Sequence, residues 1–470
     1  MSRAAAPRWT MVLLALVLGA GLRLWFVHAC PVLEGDPMVY GDIAKNLILH
    51  HVYGLSGDAA QIANGGVAGQ PSPAGLHPTL IRLPGYPLFV ALCFKTFGME
   101  HYNAIMYAQL VIDLATCLLI ASLVKRLCGP RAGIVALWLA ALCPFTSNFV
   151  ASPMAETLSI FCVALAFYSL ANLIDRLGVA NLLLLAFAVS YATLLRPDGA
   201  LLGLAVFPAL VIYGGRRWGW PRALRYALLG AALALLPFVP WTIRNERTFH
   251  VFEPLAPRYA NDPGESTTPG FNRWTKTWTV DFASTYEVYW NANTDLIDPS
   301  TLPLRACDSP QQRQATWRLI EDYNQLSTVT PELDARFADL AAQRIRGHRL
   351  RYYIQLPLLR VADMALRPRT ENLPIELRWW QYREHRGETL FAAAYAALNL
   401  AYFVAALAGF VRWPRLSGAM LAFALLRCLL LATVEAPETR YTLELFPVVI
   451  VFAAIGLEQL GTRRAPITRV

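Results

Sequence analysis

The sequence predicts an all-α membrane protein that crosses the bilayer about ten times, with surface helices and a small, mainly helical domain on its outer face. Three observations support this fold class. Charged residues make up 16% of the 470-residue chain, against roughly 25% in soluble domains. Several windows contain the run of about 20 apolar residues that a bilayer-spanning helix needs. Short basic loops separate these windows, as expected of cytoplasmic loops under the positive-inside rule.

Ten apolar windows are the candidate spans. The first follows a basic start and could pass for a signal peptide, but it is long and no small-x-small cleavage motif follows it, so we predict a retained span. The ten windows lie at about 9–28, 103–124, 132–150, 155–174, 179–195, 199–213, 222–241, 388–411, 416–434 and 441–459.

Basic loops determine the predicted orientation. Lys and Arg cluster at 125–131, 214–222 and 411–415 and near both ends of the chain, which places these loops and both termini in the cytoplasm. These clusters also explain the net charge of +9, so no nucleic-acid partner is implied. Counted as a span, the segment 82–98 would invert every later loop, and we therefore predict that it lies on the outer surface as a juxtamembrane helix.

The same topology divides the chain into three parts. Within the middle part, the apolar spacing predicts helices over 309–326 and 331–366, and the Gly- and Pro-containing stretch 261–278 predicts a loop. The parts are an N-terminal transmembrane module at 1–241 that includes the outer loop 29–102, a large extracytoplasmic domain at 242–386, and C-terminal transmembrane helices at 387–470.

Asp36 and Asp42 follow the first span directly and would lie on the outer face. Six residues separate them, so on one helix they would sit almost two turns apart and would not form a tight carboxylate pair. A buried Asp36 within reach of a hydroxyl could act as a general base. As a residue that precedes a proline, it could instead cap a surface helix, and the residues alone leave both readings open.

Other charged residues on the predicted outer face also have two readings. Glu156 begins a span, where the helix dipole favours a carboxylate, and it could equally face a cavity. Arg82 suits a lipid phosphate or the bilayer headgroups. Arg440 could pair with Glu438 or bind an anionic ligand, and Arg244 would anchor a span end at the interface.

Four more charges have a structural interpretation. Arg196 and Asp198 belong to the turn "RPDG" between two spans. Asp113 and Arg427 lie within spans, where an unpaired charge costs several kcal/mol, so we expect them to pair with each other; a functional proton relay is the alternative.

No metal site is predicted. The adjacent His50 and His51 would point in different directions on a helix, and no C-x-x-C pair occurs. Cys30 and Cys307 would share the outer side, which leaves a disulfide between them open.

Several motifs, taken in their order along the chain, resemble the GT-C glycosyltransferases, specifically the protein mannosyltransferase and aminoarabinose transferase-like branch. Each motif alone is weak, and their order is the specific signal. The motifs are "GDPMVYGDIAKNLILHHVYG", "RLPGYPLFVALCFKTFG", "LVKRLCGPRAGIVALWLAALCPF", "SPMAETL", "FVPWTIRN" and "ETRYTLELFPVVIV".

This resemblance implies roles for particular residues. Asp36 matches the family's catalytic acidic position, Glu156 its second acidic position, and Arg82 the basic residue that contacts the carrier phosphate. The second acidic residue is often Asp in the family where this chain has Glu, and 242–386 matches little beyond its final helix. We add a set of candidate donor-binding residues from the same motifs and span ends: Tyr40, Asp42, Tyr86, Arg244, Glu438 and Arg440.

The resemblance also implies an activity. We expect an inverting glycosyltransferase without a cofactor, which moves a sugar from a polyprenyl-phosphate carrier to a hydroxyl of a lipid, glycan or protein on the extracytoplasmic face. The Ala-, Leu- and Arg-rich composition suggests a bacterial plasma membrane and undecaprenyl phosphate. The alternative is a transporter or flippase of a lipid-linked or polar solute, whose polar site would lie near the bilayer midplane.

Overall fold

The predicted all-α class is confirmed by a computed structural model, which describes residues 8–57 and 75–463. Two strands of two residues each, β1 (Gly54–Leu55) and β2 (His77–Pro78), pair in antiparallel orientation. We call this strand pair the hairpin. The helices are α1 (Arg8–Ala29), α2 (Asp36–His50), α3 (Gly85–Phe97), α4 (Tyr102–Cys128), α5 (Pro130–Ala141), α6 (Pro144–Ser147), α7 (Glu156–Asp175), α8 (Val179–Leu195), α9 (Ala200–Trp218), α10 (Trp220–Leu235), α11 (Phe238–Phe249), α12 (Pro269–Lys276), α13 (Phe282–Ser284), α14 (Pro310–Leu326), α15 (Pro331–Gly347), α16 (Leu356–Leu366), α17 (Arg386–Phe410), α18 (Ser417–Leu431) and α19 (Phe446–Arg463).

The chain is an integral membrane protein. Among the described residues, seven helices are long and apolar enough to cross a bilayer, or eight if the pair Pro130–Ala141 and Pro144–Ala151 forms one span bent by 45°. Each of the ten predicted windows is helical, but α8 and α18 have only 17 and 15 residues, fewer than the roughly 20 that a span needs. The count of ten spans therefore stays a prediction. The seven long helices are Trp9–Ala29, Tyr102–Cys128, Glu156–Asp175, Pro197–Trp218, Trp220–Phe249, Arg386–Phe410 and Thr439–Leu460.

Parts of three sequence predictions fall outside the described residues. These parts are the basic segments near the two termini and residues 58–74 of the outer loop 29–102. The domain boundary expected after residue 241 lies inside the helix Trp220–Phe249, so the membrane helix reaches further than the sequence indicated. The three-part division itself stays a prediction.

The centre of the membrane part is formed by α7 and α19, whose most apolar windows are 83% and 78% buried. Helix α19 packs closely along α17. A Cβ added to Gly409 of α17 would lie 1.8 Å from the Phe452 carbonyl oxygen, and one added to Gly456 of α19 would lie 2.3 Å from that of Ala405. Small residues at these positions therefore allow the two backbones to approach, as is common between membrane helices.

The predicted pairing of Asp113 with Arg427 is wrong. Asp113 accepts a hydrogen bond from Nε of the fully buried Arg23 of α1 at 2.6 Å. Arg23 also donates to the Gly19 and Ala141 carbonyl oxygens. The physical reason is that a buried charge pairs with an opposite charge on a neighbouring helix. Helix α4 carries Asp113, and α1, which carries Arg23, packs against it.

Residues 271–341, which we name the outer domain after their predicted position, have a hydrophobic core of their own. The helices predicted over 309–326 and 331–347 are confirmed as α14 and α15. Phe271 and Trp274 of α12 pack against Phe337 of α15 with ring centroids 5.1 and 5.0 Å apart. The prediction of a loop over 261–278 is therefore wrong for its second half, which forms α12. The helix predicted to continue to residue 366 is interrupted at His348, after which a π-helical turn (Arg351–Gln355) leads into α16.

All eight cysteines in the described part of the chain are free thiols. Cys30 is buried with Phe26 and Val27 near the end of α1, and Cys307 packs against the core of the outer domain. The disulfide that the sequence left open is therefore not formed.

Candidate functional site

The candidate site is centred on Asp36, whose carboxylate lies between two arginines. Arg82 donates from Nη2 to Oδ1 at 2.6 Å, and Arg440 donates from Nη1 to Oδ2 at 2.8 Å. The three side chains keep between 19% and 27% of their surface exposed. Residues 404 positions apart in the chain are thus joined at a surface that a ligand can reach.

Local structure positions Asp36 at the first turn of α2. Gly35 precedes it with φ 73° and ψ −128°, a conformation that costs a residue with a Cβ atom far more than glycine. This turn folds the chain from the end of α1 into α2 within six residues, 30–35. The helix N-terminus then adds its dipole to the field that favours the Asp36 carboxylate.

The two arginines are held from separate elements. Tyr53, next to the hairpin, donates its hydroxyl to the Arg82 carbonyl oxygen at 2.9 Å. Arg440 belongs to the 3₁₀ helix Thr439–Leu445, and Arg369 holds that helix by donating to the Thr439 carbonyl oxygen at 2.8 Å and to the Thr442 hydroxyl at 2.5 Å. These contacts hold the backbone segments that carry the two guanidinium groups.

Electrostatics keep Asp36 ionised. Burial alone would raise the pKa of its carboxyl group, but the charges of Arg82 and Arg440 and their hydrogen bonds outweigh burial and hold that pKa well below its usual range. Burial and the neighbouring Asp36 raise the pKa of Tyr40 to about 12, so the phenol stays neutral. In this state the site contains a carboxylate that is a weak base, because both its oxygens are already engaged.

Glu156 connects this centre to a longer ionic network. Its carboxylate, 2% exposed at the first residue of α7, lies 3.7 Å from Arg440 and accepts a hydrogen bond from Arg196 at 3.0 Å. Arg196 also contacts Asp198 at 3.3 Å and Glu444 at 3.8 Å. Acids and arginines alternate along this network, which lies where several helices begin or end.

Arg427, which was predicted to pair with Asp113, lies at the far end of this network. It contacts Asp198 at 3.1 Å and also forms an ion pair with Glu444, and it donates twice to the Tyr441 carbonyl oxygen. Nearly the whole side chain is buried, with 1% exposed. The network therefore fixes the turn that carries Arg440.

Glu438 and the aromatic residues complete the centre. Glu438 lies 2.5 Å from Nε of Arg440 and accepts the Tyr441 hydroxyl at 2.5 Å. The Tyr40 ring lies below the Arg82 guanidinium at 5.9 Å and meets the Tyr86 ring edge to face at 4.8 Å. Tyr86 is fully buried and donates to Gln109, so it supports Tyr40 from behind.

Two predicted site residues lie apart from the centre. Asp42 is fully buried and accepts hydrogen bonds from the Ser56 backbone at 2.7 Å and from Asn46 at 3.1 Å, which ties α2 to the hairpin. Arg244 donates to the Tyr53 and Thr79 carbonyl oxygens and so anchors α11 to the same hairpin. Both residues shape the site's surroundings without touching Asp36.

The far part of the network was not predicted from the sequence. Arg196 and Asp198 were interpreted as turn residues, Arg427 was assigned to Asp113, and Glu444 was not considered. One signal was available for Glu444, because it is a charge at the start of an apolar span and follows Arg440 by four residues. Such a charge in a membrane protein usually faces a partner or a cavity.

In residues 8–57 and 75–463, no group of three or more His, Cys, Asp and Glu side chains is arranged to hold a metal ion. Asp36 and Glu156 each face arginines. The absence of a metal in the reaction stays a prediction from the sequence.

Comparison with known proteins places the fold. No curated protein sequence matches the chain. The sequence profile of the family described as dolichyl-phosphate-mannose-protein mannosyltransferase matches residues 77–243. The oligosaccharyltransferase of Archaeoglobus fulgidus, in complex with Zn and sulfate, superimposes with a TM-score of 0.51 and 13% identity over 96% of this chain. The chain has the GT-C fold.

Two further solved structures are similar to this chain. The apo form of the A. fulgidus enzyme covers 96% of this chain at 13% identity with a TM-score of 0.50. ArnT from Cupriavidus metallidurans bound to undecaprenyl phosphate covers 97% of this chain and 79% of its own length at 16% identity, with a TM-score of 0.38. This chain spans 49% of the oligosaccharyltransferase's length, so it corresponds to about half of that enzyme.

Proposed function

We propose that the protein is a membrane glycosyltransferase that moves a sugar from a polyprenyl-phosphate carrier to a hydroxyl of a lipid, glycan or protein on the extracytoplasmic face. The observation that carries the proposal is the Asp36 carboxylate held between Arg82 and Arg440. The GT-C fold supports the reaction class, and the mannosyltransferase profile over 77–243, which names a dolichyl-phosphate sugar, supports the donor class.

The two arginines suit the carrier phosphate. Guanidinium groups bind phosphate through pairs of parallel hydrogen bonds. Arg82 has capacity to spare, since its buried Nε atom has no hydrogen-bond partner within the described part of the chain. A phosphate placed between Arg82 and Arg440 would keep its polyprenyl tail beside the apolar helices, and its sugar would face the outer domain.

Donor binding would activate the base. While Arg82 and Arg440 contact Asp36, its depressed pKa makes it a poor acceptor of protons. A phosphate that takes over these guanidinium groups would remove the interactions that depress the pKa, and burial would then raise it toward a useful value. Asp36 would therefore become an effective base only after the donor has bound.

The chemical step is a single displacement. The Asp36 carboxylate takes the proton of the acceptor hydroxyl while the acceptor oxygen forms a bond to the anomeric carbon. The bond from that carbon to the phosphate oxygen breaks, and the carrier phosphate leaves with the electron pair and remains bound to Arg82 and Arg440. Attack opposite the leaving group inverts the anomeric carbon, and Glu156 keeps Arg440 in place through their contact at 3.7 Å.

Asp36→Asn tests the proposal. The amide keeps the size of the side chain but cannot accept the proton, so we expect transfer of labelled sugar to fall by about 10² to 10⁴ while carrier-lipid binding is retained. Asp322→Asn is the matched control, because Asp322 is an exposed partner of Arg336 on the outer domain. Unchanged transfer by Asp36→Asn, or retained anomeric configuration in the product, would contradict the proposal.

A further inference from the structure

A second cluster of cations lies beside the site, around Glu435. Arg258 contacts the Glu435 carboxylate at 2.6 Å and Lys276 lies 3.6 Å from it. Glu435 and Lys276 are mostly buried, with side-chain exposures of 16% and 18%, whereas Arg258 is 65% exposed. Lys276 also donates to the Thr433 carbonyl oxygen, so its ammonium group is held toward Glu435.

Arg360 adds a buried charge to this cluster. The side chain is fully buried in α16, and its donors reach the backbone carbonyl oxygens of Thr279 and Lys276. Its Nη1 atom has no hydrogen-bond partner in the described part of the chain. Burial lowers the pKa of Arg360 to about 10, with Tyr352 and Glu435 acting in the opposite direction. A buried guanidinium group without a bonded carboxylate is costly, and the unpartnered Nη1 atom leaves Arg360 able to donate to an anion.

The charges of the cluster do not balance. Arg258, Lys276 and Arg360 carry three positive charges, and the carboxylate of Glu435 offsets one of them. A partly buried excess of positive charge has low screening and attracts an anion more strongly than scattered surface lysines do. Tyr289 lies close enough to Glu435 and Glu438 that burial and these two charges raise the pKa of its phenol.

The cluster is close to the proposed reaction centre. Glu435 precedes Glu438 by three residues in a chain segment without helix or strand, so their Cα atoms are at most roughly 10 Å apart. Thr285 of the outer domain donates to the Pro437 carbonyl oxygen at 3.3 Å, which fixes this segment against the domain. Glu438 in turn contacts Arg440, which contacts Asp36. An acceptor that binds at Glu435 therefore reaches toward Asp36 from the side of the outer domain.

We propose that Arg258, Lys276 and Arg360 form an anion subsite, which binds a phosphate or carboxylate group of the acceptor while the acceptor hydroxyl lies at Asp36. The assignment to an acceptor rests on the proposed glycosyltransferase function. The anion subsite itself rests on the three cations and on the unpartnered Nη1 atom of Arg360.

Binding of inorganic phosphate tests the anion subsite directly. The protein is placed in phosphatidylcholine nanodiscs and carries Arg82→Gln, so that the proposed carrier-phosphate site contributes little. We expect the Arg258→Gln/Lys276→Gln variant to bind phosphate at least about tenfold more weakly, since two charge-assisted contacts are lost. Glu435→Gln should bind it several-fold more tightly, because the competing carboxylate is gone.

These opposite shifts separate binding from mere support of the fold. If Glu435 and its partners only stabilised the structure, both changes would weaken binding or neither would alter it, and either result would overturn the subsite. Arg336→Gln is the matched control, because Arg336 pairs with Asp322 on the exposed outer domain as Arg258 does with Glu435.

Nanodiscs with phosphatidylglycerol distinguish the source of the anion. Loss of phosphate binding there would identify a bilayer headgroup as the ligand and overturn the acceptor assignment.

The acceptor assignment has its own measurement. Transfer of labelled sugar to membrane extracts separated by anion exchange should label the retained, acidic fraction, and the double variant should raise the KM for that fraction. Label confined to the neutral fraction would overturn the assignment. Absence of any transfer by the wild type would count against the proposed function, while phosphate binding would still decide whether the anion subsite exists.

Discussion

Asp36 shows how two arginines can keep a carboxylate ionised and make it a weak base at the same time. Its depressed folded-state pKa means that its ion pairs contribute stability above the unfolded value of about 3.9, and this contribution is lost only as the pH falls toward the lower folded value. Between pH 5 and 8 the free protein therefore keeps Asp36 charged.

This charge state leads to a pH prediction. Asp36 should give kcat/KM of the wild type no acid limb between pH 5 and 8, because kcat/KM reports groups of the free enzyme. Arg82→Gln removes one of the two guanidinium groups, so burial should raise the pKa of Asp36 and move an acid limb toward neutral pH. The residual activity of this variant, measured from pH 4 to 8, checks the prediction. A variant whose kcat/KM, like that of the wild type, shows no acid limb between pH 5 and 8 would contradict it.

Asp113 gives a stability prediction at the same scale. Asp113→Asn leaves the fully buried Arg23 without its counter-ion, which typically costs about 3–5 kcal/mol. The double change Arg23→Leu/Asp113→Leu should cost less, because no buried charge remains. Thermal unfolding in detergent checks both variants. Asp175→Asn is the control, since Asp175 contacts Arg126 and Arg415 at the surface and should cost about 1 kcal/mol or less.

The sequence identified charged residues more reliably than their partners. Asp36, Arg82, Glu156, Glu438 and Arg440 were all selected from motifs and predicted topology, and the structure brings them together. The pairing of Asp113 failed because the only information used was that both charges lie within spans. The choice of partner depends on which helices are neighbours, and apolar windows do not contain that information.

At the scale of elements, the close contact of α17 with α19 depends on glycine. Gly409→Ala would place a methyl group against the Phe452 carbonyl oxygen, and overpacking of this kind typically costs about 1–3 kcal/mol. Gly387→Ala in the same helix meets open space and should be neutral or stabilising by up to about 1 kcal/mol through helix propensity. Melting temperatures of the two variants check the contrast, and equal values would contradict close packing at Gly409.

Helices were predictable from the sequence where a long apolar run or a clear period exists, as for α7, α14 and α15. A helix break at Pro144 and a helix start at Pro269 had local sequence signals of another kind, since both involve proline. Pro144 disfavours helix at the residue before it, and the bent pair Pro130–Ala141 and Pro144–Ala151 breaks there. Pro269 suits the first turn of a helix, and α12 begins at this residue within the predicted loop. The glycines nearby suggested a turn, whereas the aromatic core of the outer domain stabilises the helix.

At the scale of the whole molecule, the free thiols exclude a disulfide between Cys30 and Cys307. Cys30 and Cys307 pack in different hydrophobic clusters, so no covalent bond joins the end of α1 to the outer domain. Peptide mapping without reductant should yield no peptide that contains both residues, and a reducing agent should leave the melting temperature unchanged. Recovery of that linked peptide from active protein would contradict this arrangement.

The length of the helix Trp220–Phe249 links the protein to the thickness of its membrane. Its 30 residues, at about 1.5 Å each, form a rod of about 45 Å, whereas the hydrocarbon core is about 30 Å thick. Arg244, near the C-terminal end of this helix, donates hydrogen bonds to Thr79 and Tyr53 beside the hairpin. Tyr53 in turn donates a hydrogen bond to the Arg82 carbonyl oxygen. In a thinner bilayer such a helix tilts or the bilayer thickens around it, and a tilt would shift Arg82 relative to Asp36. The acyl-chain length of the surrounding lipids is therefore expected to tune transfer.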